Sequence, residues 1–235
     1  MAIEEAHPPR RVGRPRRGTE GEATRRIIDA AIPIFLADGF EAASVDAIAA
    51  AAGASKKTVY TKFTSKADLF EAACLRFIET HMPRVELEAA LGGSTAECLY
   101  RIAHAVLTAA ITPSCIALRR IAAAEAVRFP EFARTLHDFG HARIAILIEQ
   151  SLALGVKRGD IAVDDLRFAA DYFVNVAIMP PLDRATFGIE RPELTHIKRE
   201  TLCRTIDTFL RAFQPGPAPA PGGSIQGLPE RLTAR

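Results

Sequence analysis

Hydrophobic residues recur along this chain at the three- and four-residue spacing of helices, and nowhere alternate in the two-residue rhythm of a half-buried strand. The first such segment puts Ile27, Ile28, Ala31, Ile34 and Phe35 on one face, opens at a capping-box pair, Thr19 with Glu22, and closes at Gly39. Pro33 lies inside it. A proline there removes an amide bond and crowds the carbonyl four residues back, at a cost of about 3 kcal/mol, so the pattern predicts a bent helix. Next comes a short segment capped by Ser44 with Val45, Ile48, Ala49 and Ala52 inward, then Gly53 to supply the unusual backbone angles of a turn. Ser55 caps another short helix that buries Val59 and Phe63 and leaves Lys56, Lys57, Thr58, Tyr60, Thr61 and Lys62 facing outward. A further S-x-x-D cap, Ser65 with Asp68, begins a long helix through Leu69, Phe70, Ala73, Cys74, Phe77 and Ile78.

From about residue 94 to 213 every periodic segment again reads as helix, with breaks expected at Pro113, Pro130, Gly155, Pro180 and Gly188. The ends differ in composition. Residues 1–18 hold Pro8, Pro9, Pro15 and mutually repelling arginines, and 214–235 are rich in proline and glycine; both are expected to be disordered. No internal repeat of fixed period is present.

Composition narrows the function classes only where it is uneven. The 235 residues carry 30 basic and 28 acidic side chains, so the formal charge of +2 says little about nucleic acid. Locally the charge is sorted: five arginines and no acid lie between Arg10 and Arg17, and four lysines and no acid between Lys56 and Lys66. Cys74, Cys98, Cys115 and Cys203 are scattered, without a C-x-x-C pair, as reduced thiols of the cytosol would be. No apolar run approaches the roughly 20 residues of a membrane span, and the N-terminus lacks the apolar stretch of a secretory signal, so a soluble cytoplasmic protein is expected. G-x-S-x-G, H-E-x-x-H and P-loop signatures are absent and no pair of acids suggests acid–base work, which argues against an enzyme.

Two short helices joined by a glycine turn, the second opening with paired lysines, form a helix-turn-helix suited to the DNA major groove. Lys56, Lys57 and Thr58 stand in the first turn of the second helix, where lysine can donate to guanine acceptors and the threonine methyl can meet thymine; a merely solvated charged face is the alternative. Gly13-Arg14-Pro15-Arg16 is like an AT-hook core, so Arg14 and Arg16 are candidates for the minor groove, for non-specific phosphate attraction, or for an idle solvated tail. His137 and His141, at i and i+4, share a stripe with Ile144 and Ile148 and are expected to point inward, as a pocket-lining or core pair rather than a metal site.

The run from Ala23 to Phe70, with a helix ending in DGF and then S-x-x-x-I-A-x-x-A-G-x-S-x-x-T-V-Y-x-x-F-x-x-K-x-x-L, resembles the TetR family of bacterial transcriptional repressors. Gly39, Phe40, Ile48, Ala49, Ala52, Gly53, Ser55, Thr58, Val59, Tyr60, Phe63, Lys66 and Leu69 all fall in one register with that family's pattern, while Pro33 and the basic arm depart from it. The resemblance implies an all-α fold of about nine helices: a helix-turn-helix DNA-binding domain at 19–70 and a helical effector-binding and dimerisation domain at 71–213. It implies a homodimer on a palindromic double-stranded operator, an unknown small-molecule effector, and neither cofactor nor metal. It assigns Ser44, Tyr60, Lys62 and Lys66 to phosphates, contacts that fix register without reading sequence, although Tyr60 also suits a half-buried packing ring. With Ser55 and Thr61 these complete the expected DNA face.

In the second half only the helical layout carries over. Phe168, Tyr172 and Val176 on one helix, and Ile197, Leu202, Ile206, Phe209 and Leu210 on the last, offer more apolar surface than one bundle face needs; by resemblance they would pair with their mates across a two-fold axis, an ordinary monomer core being the alternative. Arg119, Phe129, Phe132, His137, His141 and Phe173 are the candidates to line an effector cavity. A sequence-indifferent architectural DNA-binding protein is the competing function.

Overall fold

The computed structural model describes residues 17–81 and 92–214. Arg14 and Arg16, and both terminal segments, lie outside the described residues. Among those described there are eleven α-helical segments and no strand; two pairs are fused through π-helical stretches, leaving nine separate helices. The residues divide into two compact units, 1–80 with 117–136, and 81–116 with 137–235.

In the first unit, α1 (Arg17–Ala42) already includes Arg17 and Gly18, so Thr19 lies within the helix rather than capping it. The helix continues through Pro33, which is exposed, as is Asp29 one turn before it, so the carbonyl left without an amide faces water. Non-helical backbone angles occur at Gly39 (φ 77°, ψ −179°). It is followed by α2 (Val45–Ala51), α3 (Lys56–Lys62) and α4 (Lys66–His81), whose buried faces are those the periodicity predicts. A cluster of aromatic rings fills the unit's core. Phe70 lies 4.9 Å from Phe35, 5.4 Å from Phe40 and 4.5 Å from Phe132, and Phe129 lies 5.0 Å from Phe40, all between ring centroids. Phe129 and Phe132 come from residues 117–136, the end of α6 (Pro113–Glu125) and all of α7 (Pro130–Leu136), which therefore pack with the helix-turn-helix. Burying such rings contributes about 3–5 kcal/mol each relative to alanine.

In the second unit, a capping box of Ser94 and Glu97 starts α5 (Thr95–Ala110): the Ser94 amide donates to Glu97 Oε2 at 2.8 Å, and the Glu97 amide to Ser94 Oγ at 3.3 Å. A π-helical stretch (His137–Ala142) leads into α8 (Arg143–Arg158). Gly155 does not break α8; it is buried within it, and the helix ends at left-handed Gly159 (φ 77°), where the Asp160 amide bonds back to the Gly155 carbonyl at 3.0 Å. Nor does Pro180 interrupt: α9 (Leu166–Phe173) passes through a π-helical stretch (Val174–Ile178) into α10 (Met179–Thr186), and the wider turn absorbs the bond that proline cannot make. The last helix, α11 (His196–Ala212), is capped by Thr195. A single apolar core joins α5, α8, α9, the second π stretch, α10 and α11.

Candidate nucleic-acid interface

The turn between α2 and α3 is built by local hydrogen bonds. Ser44 Oγ accepts the Ala47 amide at 3.4 Å, and Ser55 Oγ accepts the Thr58 amide at 3.0 Å. Between them Gly53 (φ 60°) sits in the left-handed region, so that its amide reaches the Ala50 carbonyl at 3.1 Å and the Ala54 amide reaches Ala49 at 2.9 Å, the paired closure that ends a helix at glycine. Val59 and Phe63 anchor α3 from below. The opposite face of α3 is open: Lys56, Lys57, Tyr60 and Thr61 are exposed, and Thr58 and Lys62 partly so. Tyr60 keeps 47% of its surface, so about half of the ring is open to a partner.

Not every polar group on this face is equally available. The Thr61 hydroxyl donates to the Lys57 carbonyl at 2.8 Å, and the Thr58 and Ser55 hydroxyls share a hydrogen bond of 2.8 Å, which leaves the Thr58 methyl as its outward feature. Lys66 is corrected outright. Its ammonium donates to the carbonyls of Glu41 (2.8 Å) and Ala43 (3.2 Å) and stands 4.9 Å over the Phe40 ring, so it closes the end of α1 instead of facing a phosphate. Sequence reasoning missed Asp46. Its carboxylate accepts from Lys56 Nζ at 2.9 Å, and this hydrogen bond holds the Lys56 pKa above the ordinary lysine value. The legible signal was an acid at the second position of α2 and a lysine at the first of α3.

The candidates of the second half fare differently. Phe132 is fully buried and Phe129 half-buried in the ring cluster of the first unit, and Arg119 is also in that unit; Phe173 is fully buried against Phe209 at 5.1 Å. These phenylalanines are packing residues. The histidines do not both point inward. The π stretch resets the helical register, so that the rings stack at 5.2 Å while the His137 side chain is 63% exposed, 3.0 Å from Asp138. His141 is more enclosed, and burial holds its pKa below the ordinary histidine value. Among the described residues no cluster of three or more metal-ligating side chains occurs. A cleft of about 400 Å³ does open in the second unit, with buried Leu107, Ala177 and Leu202 and exposed Arg184, Arg191 and Ile197 among its lining, and it includes none of the six candidates.

Of the expected dimer residues, Leu202, Ile206 and Phe209 are no more than 3% exposed within the single chain, so they belong to its own core. Phe168 (64%), Tyr172 (46%) and Ile197 (72%) are open, and Val176 and Leu210 are half-buried.

This geometry defines a helix-turn-helix protein whose second helix presents lysines from a capped, anchored turn. Comparison with known proteins agrees. Residues 27–73 match the profile of bacterial regulatory proteins of the TetR family, and 97–215 match the C-terminal domain of AefR-like transcriptional repressors. The flavonoid-responsive regulator FrrA is 31% identical, with a TM-score of 0.67 over 83% of this chain and 98% of its own. A TetR-family regulator from Mesorhizobium loti MAFF303099 (24% identity, TM-score 0.73, 83% and 98% of the two chains) and FadR of Bacillus subtilis in complex with stearoyl-CoA (15%, 0.61, 81% and 99%) share the fold. No curated protein matches. The chain belongs to the TetR family, and is therefore a DNA-binding transcription regulator and not an enzyme.

Proposed function

We propose that this protein is a cytoplasmic, ligand-responsive repressor that binds a palindromic operator as a homodimer. The observation that carries the reading is the open lysine face of α3. Lys56, Lys57 and the Thr58 methyl read base edges; Ser44, Ser55, Tyr60, Thr61 and Lys62 hold the backbone; Arg14 and Arg16 add minor-groove or phosphate contacts from the arm. Two-fold pairing through exposed Phe168, Tyr172 and Ile197, with Val176 and Leu210 beside them, sets two such helices about 34–36 Å apart, one turn of the duplex.

A small molecule with a largely apolar body occupies the cleft at Leu107, Ala177 and Leu202, whose volume is in the range of drug-sized ligands. FrrA responds to flavonoids, which makes aromatic polyphenols the first class to try. The ligand favours an arrangement that cannot bind DNA and so shifts the population away from it.

Selection of bound sequences from random duplex DNA tests the reading. A palindrome with half-sites a helical turn apart, released by a polyphenol, is the expected result. Binding indifferent to sequence would make this an architectural protein, and a monomer at micromolar concentration would remove the dimer.

A further inference from the structure

Asp46 and Lys56 stand ten residues apart in sequence, on different helices, yet their charged atoms meet at 2.9 Å with both side chains more than half exposed, at 66% and 53%. An exposed ion pair of this kind contributes little to stability. An acid on a surface that approaches phosphates also weakens attraction to any duplex. The pair does, however, present a donor and an acceptor side by side. Across a G·C base pair the guanine O6 acceptor and the cytosine N4 donor are themselves one hydrogen bond apart, about 2.9 Å, with both groups open to the major groove.

We propose that Asp46 and Lys56 act as one recognition unit that reads a G·C base pair, Lys56 donating to guanine and Asp46 accepting from cytosine N4. This rests on the helix-turn-helix facing DNA as argued above. The hydrogen-bonding capacities fit. An ammonium has three N–H groups; one goes to Asp46, leaving two for guanine O6 and N7. The carboxylate accepts through about four lone-pair sites, so holding lysine leaves room for the N4 amine. In the same orientation a T·A pair also offers an acceptor beside a donor. It sets the thymine methyl where lysine approaches, however, and turns adenine N7, another acceptor, toward the carboxylate. G·C is therefore preferred, and because the unit is neutral it adds discrimination without adding to non-specific attraction.

The full-length protein is tested on the duplex it selects from a random pool, and on variants of that duplex with each G·C pair replaced in turn by T·A. Affinities are read by fluorescence anisotropy at fixed salt. At one position per half-site the wild type should lose about tenfold or more, while Asp46→Ala should bind the two duplexes within about twofold of each other. Asp46→Asn keeps the shape but adds a donor, and should shift preference at that position toward adenine; it also serves as the test should Asp46→Ala fail to fold. Unchanged discrimination by both variants at every position overturns the pair alone. A wild type that selects no sequence overturns the pair together with the operator-binding reading.

Discussion

Gly155 offers a test of sign as well as of magnitude. In a helix interior, replacing glycine by alanine stabilises by about 1 kcal/mol, and Gly155 lies three residues from the end of α8 with helical geometry around it. A Cβ built there would meet Thr95 Oγ1 at 2.4 Å, Thr95 Cγ2 at 3.1 Å and Ile161 Cδ1 at 3.2 Å. Thr95 cannot simply turn away. It is 2% exposed, its hydroxyl donates to Asp160 Oδ2 at 2.8 Å, and it accepts from Arg158 Nη2 at 3.1 Å. Either α5 and α8 separate, an overpacking cost of about 1–3 kcal/mol, or the threonine gives up a hydrogen bond to a charged group worth about 1.5–3 kcal/mol. The clash wins: Gly155→Ala should destabilise by about 1 kcal/mol net, which lowers Tm by about 2–4 °C in a chain of this size. In a Thr95→Ala background the hydroxyl and methyl are gone and only the flexible end of Ile161 remains close, so the same substitution should be neutral or stabilising. Circular-dichroism melting of the four proteins measures this as a coupling energy. A higher Tm for Gly155→Ala in the wild-type background, or equal effects in both backgrounds, refutes the α5–α8 contact.

Three further outcomes are expected. Lys66→Met loses two carbonyl contacts and a ring contact, so it should cost about 1–3 kcal/mol in thermal or urea unfolding while leaving the salt slope of DNA binding unchanged; a phosphate-binding lysine would lower that slope by about 0.9. The carboxylates of Asp68, Glu97 and Asp160 are held below their ordinary pKa, chiefly by the Thr64 hydroxyl, the Ser94 amide and the Thr95 hydroxyl respectively. Their contribution is therefore complete above the unfolded carboxylate range, about pH 4, and is lost as pH falls through the depressed values; Tm should drop below about pH 4 and Asp68→Asn should flatten part of that limb, whereas a Tm constant to pH 3 contradicts it. Burial pushes the Cys74 thiol up to about 12, and Cys98 is also buried, while Cys203 is exposed. Iodoacetamide at pH 8 should label Cys203 in the native protein and reach Cys74 and Cys98 only after unfolding, as mass spectrometry of peptides would show.

How much of this was legible in the sequence depended on how far apart the interacting groups lie. The caps at Ser44, Ser55 and Ser65 and the turn at Gly53 are settled by hydrogen bonds that span three to five residues, so residue type and spacing are enough to find them. The buried faces of α2, α3 and α4 follow from period alone because each helix has one partner side. Pro180 misled for the opposite reason. Whether a proline breaks a helix depends on whether its orphaned carbonyl reaches water or a π turn, and neither is written in the local residues. Lys66 and Gly155 are decided by groups at distances of 23 and more residues, the Ala43 carbonyl and the Thr95 side chain.

The last helix shows where periodicity stops informing altogether. Its stripe of Leu202, Ile206 and Phe209 identifies a face that must leave water, since each buried side chain of this size stabilises by about 1.5–3 kcal/mol, but hydrophobic burial has no direction and is satisfied equally by the same chain or by a second copy. The structure assigns that stripe to the protomer's own core. What remains for a partner is a different and narrower set, Phe168 and Tyr172 stacked at 6.2 Å on α9 and Ile197 at the start of α11. An aspartate at Leu202 should therefore unfold the chain, whereas an aspartate at Ile197 should leave it folded and, on the proposed dimer, separate the subunits; the two substitutions distinguish core from interface where the apolar pattern alone treats them as one face.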